Sequence, residues 1–298
     1  MKIYLAALLY NDFRKGSTVY NRLDDREKQA VDEVGHILDS YHYIGNQRMV
    51  DRIRNTGRQI FLDSGAFSSF TQGIQVDIKK YCAYVLKHID IFEVVSVLDA
   101  IGDPNQTYRN QMEMEQRGVN ALPCYHYGEP EEVLEYYASN YPYITIGGMV
   151  PISSPQLRIW LDRIWGRCLT NPDGTPKIKV HGFGLTSVPL MARYPWYSVD
   201  SSAWVQLGGI GSIFLPPFGT VSVSEHAPQV KEAGKHIDNL PGPQRQAVLD
   251  YIAGMGFDID RARKLHLTRK CINIVTYGSM MAAQLTDKRF VQHQPVLF

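Results

Sequence analysis

The sequence predicts an α/β chain of the (β/α)8 TIM-barrel class, with inserted loops and a helical C-terminal extension. Short apolar runs alternate with polar, helix-patterned stretches along most of its length, the signature of strands joined by crossover helices. Three of these runs finish in aspartate: Ile60-Phe61-Leu62-Asp63, Val94-Val95-Ser96-Val97-Leu98-Asp99 and Tyr197-Ser198-Val199-Asp200. The carboxyl ends of parallel strands are where such folds hold their chemistry. The 298 residues suit one barrel of about 250 residues with an appendage, so 1–298 reads as a single domain. A doubly wound sheet is the alternative arrangement.

Taken in order, residues 1–10 form a first buried strand; they lack the basic flank and small-residue cleavage site of a signal peptide. A polar region follows over 11–58, with a helix at about 24–40 and a solvated basic face through Arg48, Arg52, Arg54 and Arg58. The second strand ends at Asp63, where Gly65 and Ala66 would let a ligand approach the backbone. Asp77 caps a helix to about 88, and 91–98 is a third strand, apolar on both faces as buried parallel strands are. Asp103-Pro104 starts the next helix and Gly118 stops it.

The fourth strand, 120–125, leads into His126-Tyr127-Gly128-Glu129-Pro130 and a helix to about 138. The fifth, 143–146, breaks at Gly147-Gly148, and Ser154-Pro155 opens a helix whose Trp160 and Trp165 belong to the core. A surface turn over 171–177 precedes a sixth strand at 178–183; the seventh ends at Asp200 and 210–215 supplies the eighth. Prolines and glycines mark an irregular insertion over about 216–243, and a helical, basic C-terminal part covers about 244–286.

A formal charge of +1 gives no global field to draw in nucleic acid, so such a partner must meet a local basic patch. Arg261, Arg263, Lys264, Arg269 and Lys270 form the strongest such cluster. The cysteines, Cys82, Cys124, Cys168 and Cys271, show neither a disulfide framework nor a Cys/His ligand cluster. A reduced, cytoplasmic setting is expected, with no membrane span, no cofactor and no metal.

In Phe61-Leu62-Asp63-Ser64-Gly65-Ala66-Phe67 the chain resembles the Asp-Ser-Gly-Gly-Phe motif of tRNA-guanine transglycosylases. Leu98-Asp99 resembles that family's guanine-recognising aspartate, Ile146-Gly147-Gly148 its Val-Gly-Gly, and Val199-Asp200-Ser201 its nucleophile strand, preceded by Gly182-Phe183-Gly184. The order over about 58–205 is similar to the shorter, phage-type, DpdA-like branch, which implies insertion of a 7-deazaguanine base into DNA, in a host cytoplasm if phage-encoded. Two features depart from the family. Tyr127 stands where it has glutamine, and its C-terminal Cys-x-Cys-x2-Cys zinc site has no counterpart.

Exchange of a purine at a sugar C1′ needs a nucleophile and an acid/base, a pair of carboxylates sufficing as in retaining glycoside hydrolysis. Asp200 is expected as nucleophile, and Asp63 as the base that deprotonates the incoming 7-deazaguanine, such as preQ0. Asp99 suits the adjacent N1–H and 2-amino donors of guanine. Gly147 and Gly148 amides suit O6, Phe67 or Met149 a stacking contact, and His126 and Tyr127 the rim of the base pocket. Three other readings remain: a tRNA substrate, a non-catalytic nucleic-acid-binding barrel, and a metal site using His126 and His181, whose spacing fits no named ligand motif. A histidine satisfied within the core is the simpler account of the last pair.

Overall fold

The computed structural model describes residues 1–66, 73, 75–280 and 289–291. In chain order it contains β1 (Lys2–Ala6), α1 (Asp25–Asp32), β2 (Ile37–Ser40), α2 (Tyr41–Ile44), α3 (Gln47–Thr56), β3 (Ile60–Asp63), α4 (Ile78–Lys87) and β4 (Phe92–Val95). There follow α5 (Pro104–Gln116), β5 (Cys124–His126), α6 (Glu131–Asn140), β6 (Tyr143–Gly147), α7 (Ser154–Ile164), β7 (Lys179–Gly182), α8 (Val188–Arg193) and β8 (Ser198–Ser201). The remainder is α9 (Ala203–Gly209), β9 (Ser212–Leu215), β10 (Gly219–Ser222), α10 (Gly242–Gly254), α11 (Ile259–Lys264) and α12 (His266–Val275). No described helix is long and apolar enough to cross a membrane.

Strands β1 to β8 make one parallel sheet in the order β4-β3-β2-β1-β8-β7-β6-β5. Apart from β4 and β5, each strand lies beside its neighbours in sequence, and the eighth lies beside the first, an order consistent with a (β/α)8 barrel. Among the described residues β4 and β5 share no ladder. A single parallel bridge, Ser96 opposite Leu122, joins the chain past β4 to the chain before β5, through Leu122 N–H to Val95 C=O (2.8 Å) and Val97 N–H to Leu122 C=O (2.9 Å).

The helix signals act as the sequence expects. Asp77 accepts from the N–H groups of Lys79 and Lys80, and Asp103 accepts from that of Gln106 with Pro104 in the first turn. On the concave side of the sheet Tyr4, Leu38 and Phe61 form a buried cluster with Ala6, Val94, Leu122 and Phe183. The Phe61 ring lies 5.3 Å from Tyr4 and 4.6 Å from His181, centroid to centroid. Side chains alternate faces along a strand, so Asp63 and Asp200 point the way Phe61 and Ser198 do.

Three expectations change. Residues 24–40 are not one helix: α1 stops at Asp32, and β2 takes Ile37–Ser40 between β1 and β3. Four residues containing an aspartate carry little strand propensity, and ladders on both sides decide the conformation. The strand at 210–215 is not the eighth of the sheet, because β9 pairs antiparallel with β10, which lies in the expected irregular insertion, in a separate hairpin. Asn273 serves that hairpin, accepting from Phe214 N–H (2.8 Å) and donating to the carbonyls of Trp204 and Ser212. The Asp200 strand is therefore the eighth, not the seventh.

The contacts divide the chain into two compact units. The first holds the whole eight-stranded sheet, comprising Met1–Ala6, Ile37–Ser201 and 289–291, and the second holds Ala7–His36 and 202–280. The excursion between β1 and β2 carries α1 to α12, which also packs on α9. Glu27 of α1 is wholly buried there. Its carboxylate accepts from Asp24 N–H in a capping box, from Arg261 Nη2 (2.9 Å) and Nε (3.2 Å), and from the Thr268 hydroxyl.

Removing one partner of a buried ion pair strands the other charge. Arg261→Gln is expected to lower stability by about 3 kcal/mol, read as a shift of the urea unfolding midpoint. An unchanged midpoint would mean that the hydroxyl and amide donors satisfy Glu27 without the guanidinium.

Candidate functional site

The carboxyl ends of the strands in the first unit carry the ionisable groups that the sequence singles out. Asp63 closes β3, and Gly65 N–H donates to its Oδ2 at 3.1 Å. Gly65 has φ +81°, and a Cβ there would lie 2.6 Å from Ser40 Oγ, so only glycine turns the chain back toward the carboxylate without a clash. Burial pushes the Asp63 carboxyl up to about 7, assisted by the charges of Asp99 and Asp200 and opposed by hydrogen bonds from Gly65 and Ser40. A carboxyl poised there can give or take a proton near neutrality.

Asp200 is buried on β8. Its Oδ1 accepts from Gly184 N–H (2.8 Å) and contacts His181 Nε2 (3.3 Å), whereas Oδ2 has no hydrogen bond among the described residues. The fully buried His181 continues inward, with Nδ1 2.7 Å from Ser198 Oγ, which is 2.6 Å from the Tyr143 hydroxyl. Burial lowers the His181 pKa against the pull of Asp200, so the ring is a neutral imidazole with one N–H. A carboxylate only accepts, which places that hydrogen on Nε2. Tyr143 then donates to Ser198, Ser198 to Nδ1, and Nε2 to Asp200, a chain that fixes the carboxylate with Oδ2 unengaged.

Asp99 follows β4 and is gripped at both oxygens, with Ser64 Oγ donating to Oδ1 and His126 Nε2 to Oδ2, each at 2.9 Å. The other His126 nitrogen faces Glu129 Oε1 at 3.0 Å, and Glu129 Oε2 accepts from His126 N–H. Burial lowers the His126 pKa, but Cys124, Asp99 and Glu129 outweigh it and raise the value, so the ring is a cation donating to two carboxylates. Cys124 Sγ lies 3.5 Å from the same Nε2, its thiol pKa raised by burial. The ligand-type atoms of Asp99, Cys124 and His126 all lie within 4.8 Å of one another. Gly147 on β6 makes room for them: a Cβ there would lie 3.1 Å from His126 Cδ2 and 3.2 Å from Cys124 Sγ.

The other expected residues fall into several settings. The Gly147 carbonyl accepts from Tyr127 N–H (3.1 Å) and Gly148 is exposed beside it. Met149 is buried, whereas Tyr127 is exposed, with its ring edge on Trp160 at 5.0 Å. Trp160 and Trp165 are core, as expected. A cleft of about 410 Å³ borders Asp99 and is lined by Ala66, Gln75, Val76, Leu98, Gln106 and Asn110 among others. Phe67 lies outside the described residues, as does the end of the helical part at 281–286.

The basic cluster belongs to the second unit, and much of it is engaged there. Arg261 pairs with Glu27 and Asp24, and Arg263 with Asp238. Arg269 is buried, donating to the carbonyls of Gly208, Ala262 and Arg263. Lys270 sits partly buried over the Phe13 ring, and Lys264 is exposed.

Sequence reasoning overlooked Cys124, Glu129, Ser198 and Tyr143. Alternation was the available signal for Cys124, since Cys124-Tyr125-His126 puts it and His126 on one strand face, contrary to the expectation that the cysteines join no Cys/His cluster. The chain matches no protein-family model and no curated protein; the reading of the site therefore rests on its geometry.

A folded chain that binds the Asp63 proton more tightly than the unfolded chain is more stable when that proton is present. This contribution is complete below the ordinary carboxyl value of 3.8 and is lost as pH rises through about 7. Asp63→Asn should remove the decline, leaving the variant more stable than the parent at pH 8 and close to it at the acid end, by chemical denaturation across pH. Parallel profiles for the two proteins would refute the raised value.

Proposed function

We propose that the chain is a base-exchange transglycosylase that replaces guanine in DNA with a 7-deazaguanine base of the preQ0 type. The observation that carries this reading is the division among three strand-end carboxylates. Among the described residues Asp200 keeps one oxygen without a hydrogen bond, Asp63 sits near neutrality, and Asp99 is anchored as an acceptor. The reading takes the curled sheet as a (β/α)8 barrel, whose carboxyl-end rim is the usual place for such a group.

Asp200 Oδ2 attacks C1′ of the target nucleotide as the bond to the guanine nitrogen breaks, giving a covalent glycosyl ester. The incoming base loses a proton to Asp63, and its nitrogen displaces Asp200 from C1′. Asp99 accepts from guanine N1–H and the 2-amino group, because each of its oxygens retains a lone pair after meeting Ser64 or His126. Tyr127 stands exposed at the rim, where an unpaired or flipped nucleotide would enter. DNA is favoured over tRNA by the resemblance to the phage-type branch. Of the five cations in the basic cluster, Lys264 is the one exposed to a phosphate.

Asp200→Asn is expected to abolish both exchange and adduct, while Asp63→Asn still forms the adduct but resolves it about 100-fold more slowly. Denaturing gels with labelled DNA read both, and turnover by Asp200→Asn would sink the mechanism. In the parent, base uptake should rise with pH through about 7, as Asp63 ionises. Offering labelled 7-deazaguanine with matched DNA and tRNA tests the substrate: label in tRNA alone would move the activity to RNA.

A further inference from the structure

The Asp99, Cys124 and His126 atoms meet in a way that hydrogen bonding to one base does not require. His126 Nδ1 faces Glu129 and its Nε2 faces Asp99. With a carboxylate at each nitrogen, a positive centre must lie between Nε2 and Asp99 Oδ2. A proton supplies it in the imidazolium, but a proton uses only two of the three donor atoms there. Cys124 Sγ, buried and 3.5 Å from Nε2, is the third.

We propose that Asp99, Cys124 and His126 form a zinc site, and that the ion and the purine compete for Asp99. Zinc binds thiolate at about 2.3 Å, imidazole at about 2.0–2.1 Å and carboxylate at about 2.0–2.2 Å, so tetrahedral donors stand about 3.3–3.7 Å apart. The 3.5 Å between Cys124 and His126 meets that spacing, and the 2.9 Å between His126 and Asp99 needs to open by a few tenths of an ångström. Thiolate with imidazole selects zinc over magnesium or calcium. On binding, the Cys124 thiol and His126 Nε2 each release a proton to solvent and each donates its electron pair to the ion.

The surroundings are those of a metal ligand set. Glu129 orients the imidazole through Nδ1, the carboxylate–histidine arrangement that fixes a ligating ring. Ser64 holds the other Asp99 oxygen. The bare Gly147 leaves space against Cys124 Sγ and His126 Cδ2. Three protein ligands leave a fourth position for water or an incoming group. Binding of the ion stands on this geometry alone, whereas its inhibitory effect rests on the transglycosylase reading.

The test is titration of the full-length chain, stripped of metal, with zinc and with cobalt. One equivalent of zinc per chain is expected, with a sulfur-to-cobalt charge-transfer band in the near ultraviolet. Cys124→Ser, a near-isosteric change, should remove the band, weaken zinc at least about tenfold and leave metal-free exchange in place. Zinc should inhibit the parent but not this variant. No band, or an unaltered band in Cys124→Ser, overturns the site, and zinc bound without inhibition overturns the competition. Absence of exchange in the metal-free parent would instead remove the transglycosylase reading and leave the metal measurement standing.

Discussion

Carboxylates crowded at one end of a curled sheet are unfavourable unless each is compensated, and the site is organised around that constraint. Desolvation and the charges of Asp99 and Asp200 act together on Asp63. The compensation is unequal. Asp200 receives an amide N–H and an imidazole N–H, Asp99 a hydroxyl and an imidazolium, and Asp63 the Gly65 amide with help from Ser40. For Asp63 those donors do not offset burial, and its carboxyl is pushed up to about 7. Three identical side chains thereby acquire different chemistry from the donors placed around them.

Two histidines divide the supporting work for the same reason. His181 has a carboxylate on one side and a hydroxyl on the other, and burial keeps it neutral. His126 has a carboxylate at each nitrogen, which holds it cationic despite burial. Both rings issue from strands that bring their Cβ atoms toward the concave face, yet one is neutral and the other cationic. The proposed roles, nucleophile on β8 and acid/base on β3, use that division of donors.

The second unit shows how a charge run can mislead. Arginines at 261, 263 and 269 lie close in sequence, as a phosphate grip would require, yet they issue from two short helices whose faces meet acids and backbone carbonyls. Glu27, more than 230 positions away in the chain, is what recruits Arg261. A guanidinium that fills a buried carboxylate and one that awaits a phosphate are identical in sequence.

Strand-end aspartates, helix caps and the α/β alternation were legible in the sequence because each is local: an apolar run, a turn residue and a capping acid lie within a few positions. The eight-strand count was also reached, but through compensating differences, since β2 was absorbed into a helix and β9 was given to the sheet. Both segments are short: β2 pairs with strands well separated from it in the chain, whereas β9 turns straight back on β10. The meeting of Asp99 with His126, the Cys124 sulfur beside them, and the chain from Tyr143 through Ser198 and His181 to Asp200 were decided by tertiary structure alone. Sequence determined which residue stood at each strand end; only the sheet's curl, which sets the distance from one strand end to the next, decided which of them would share protons.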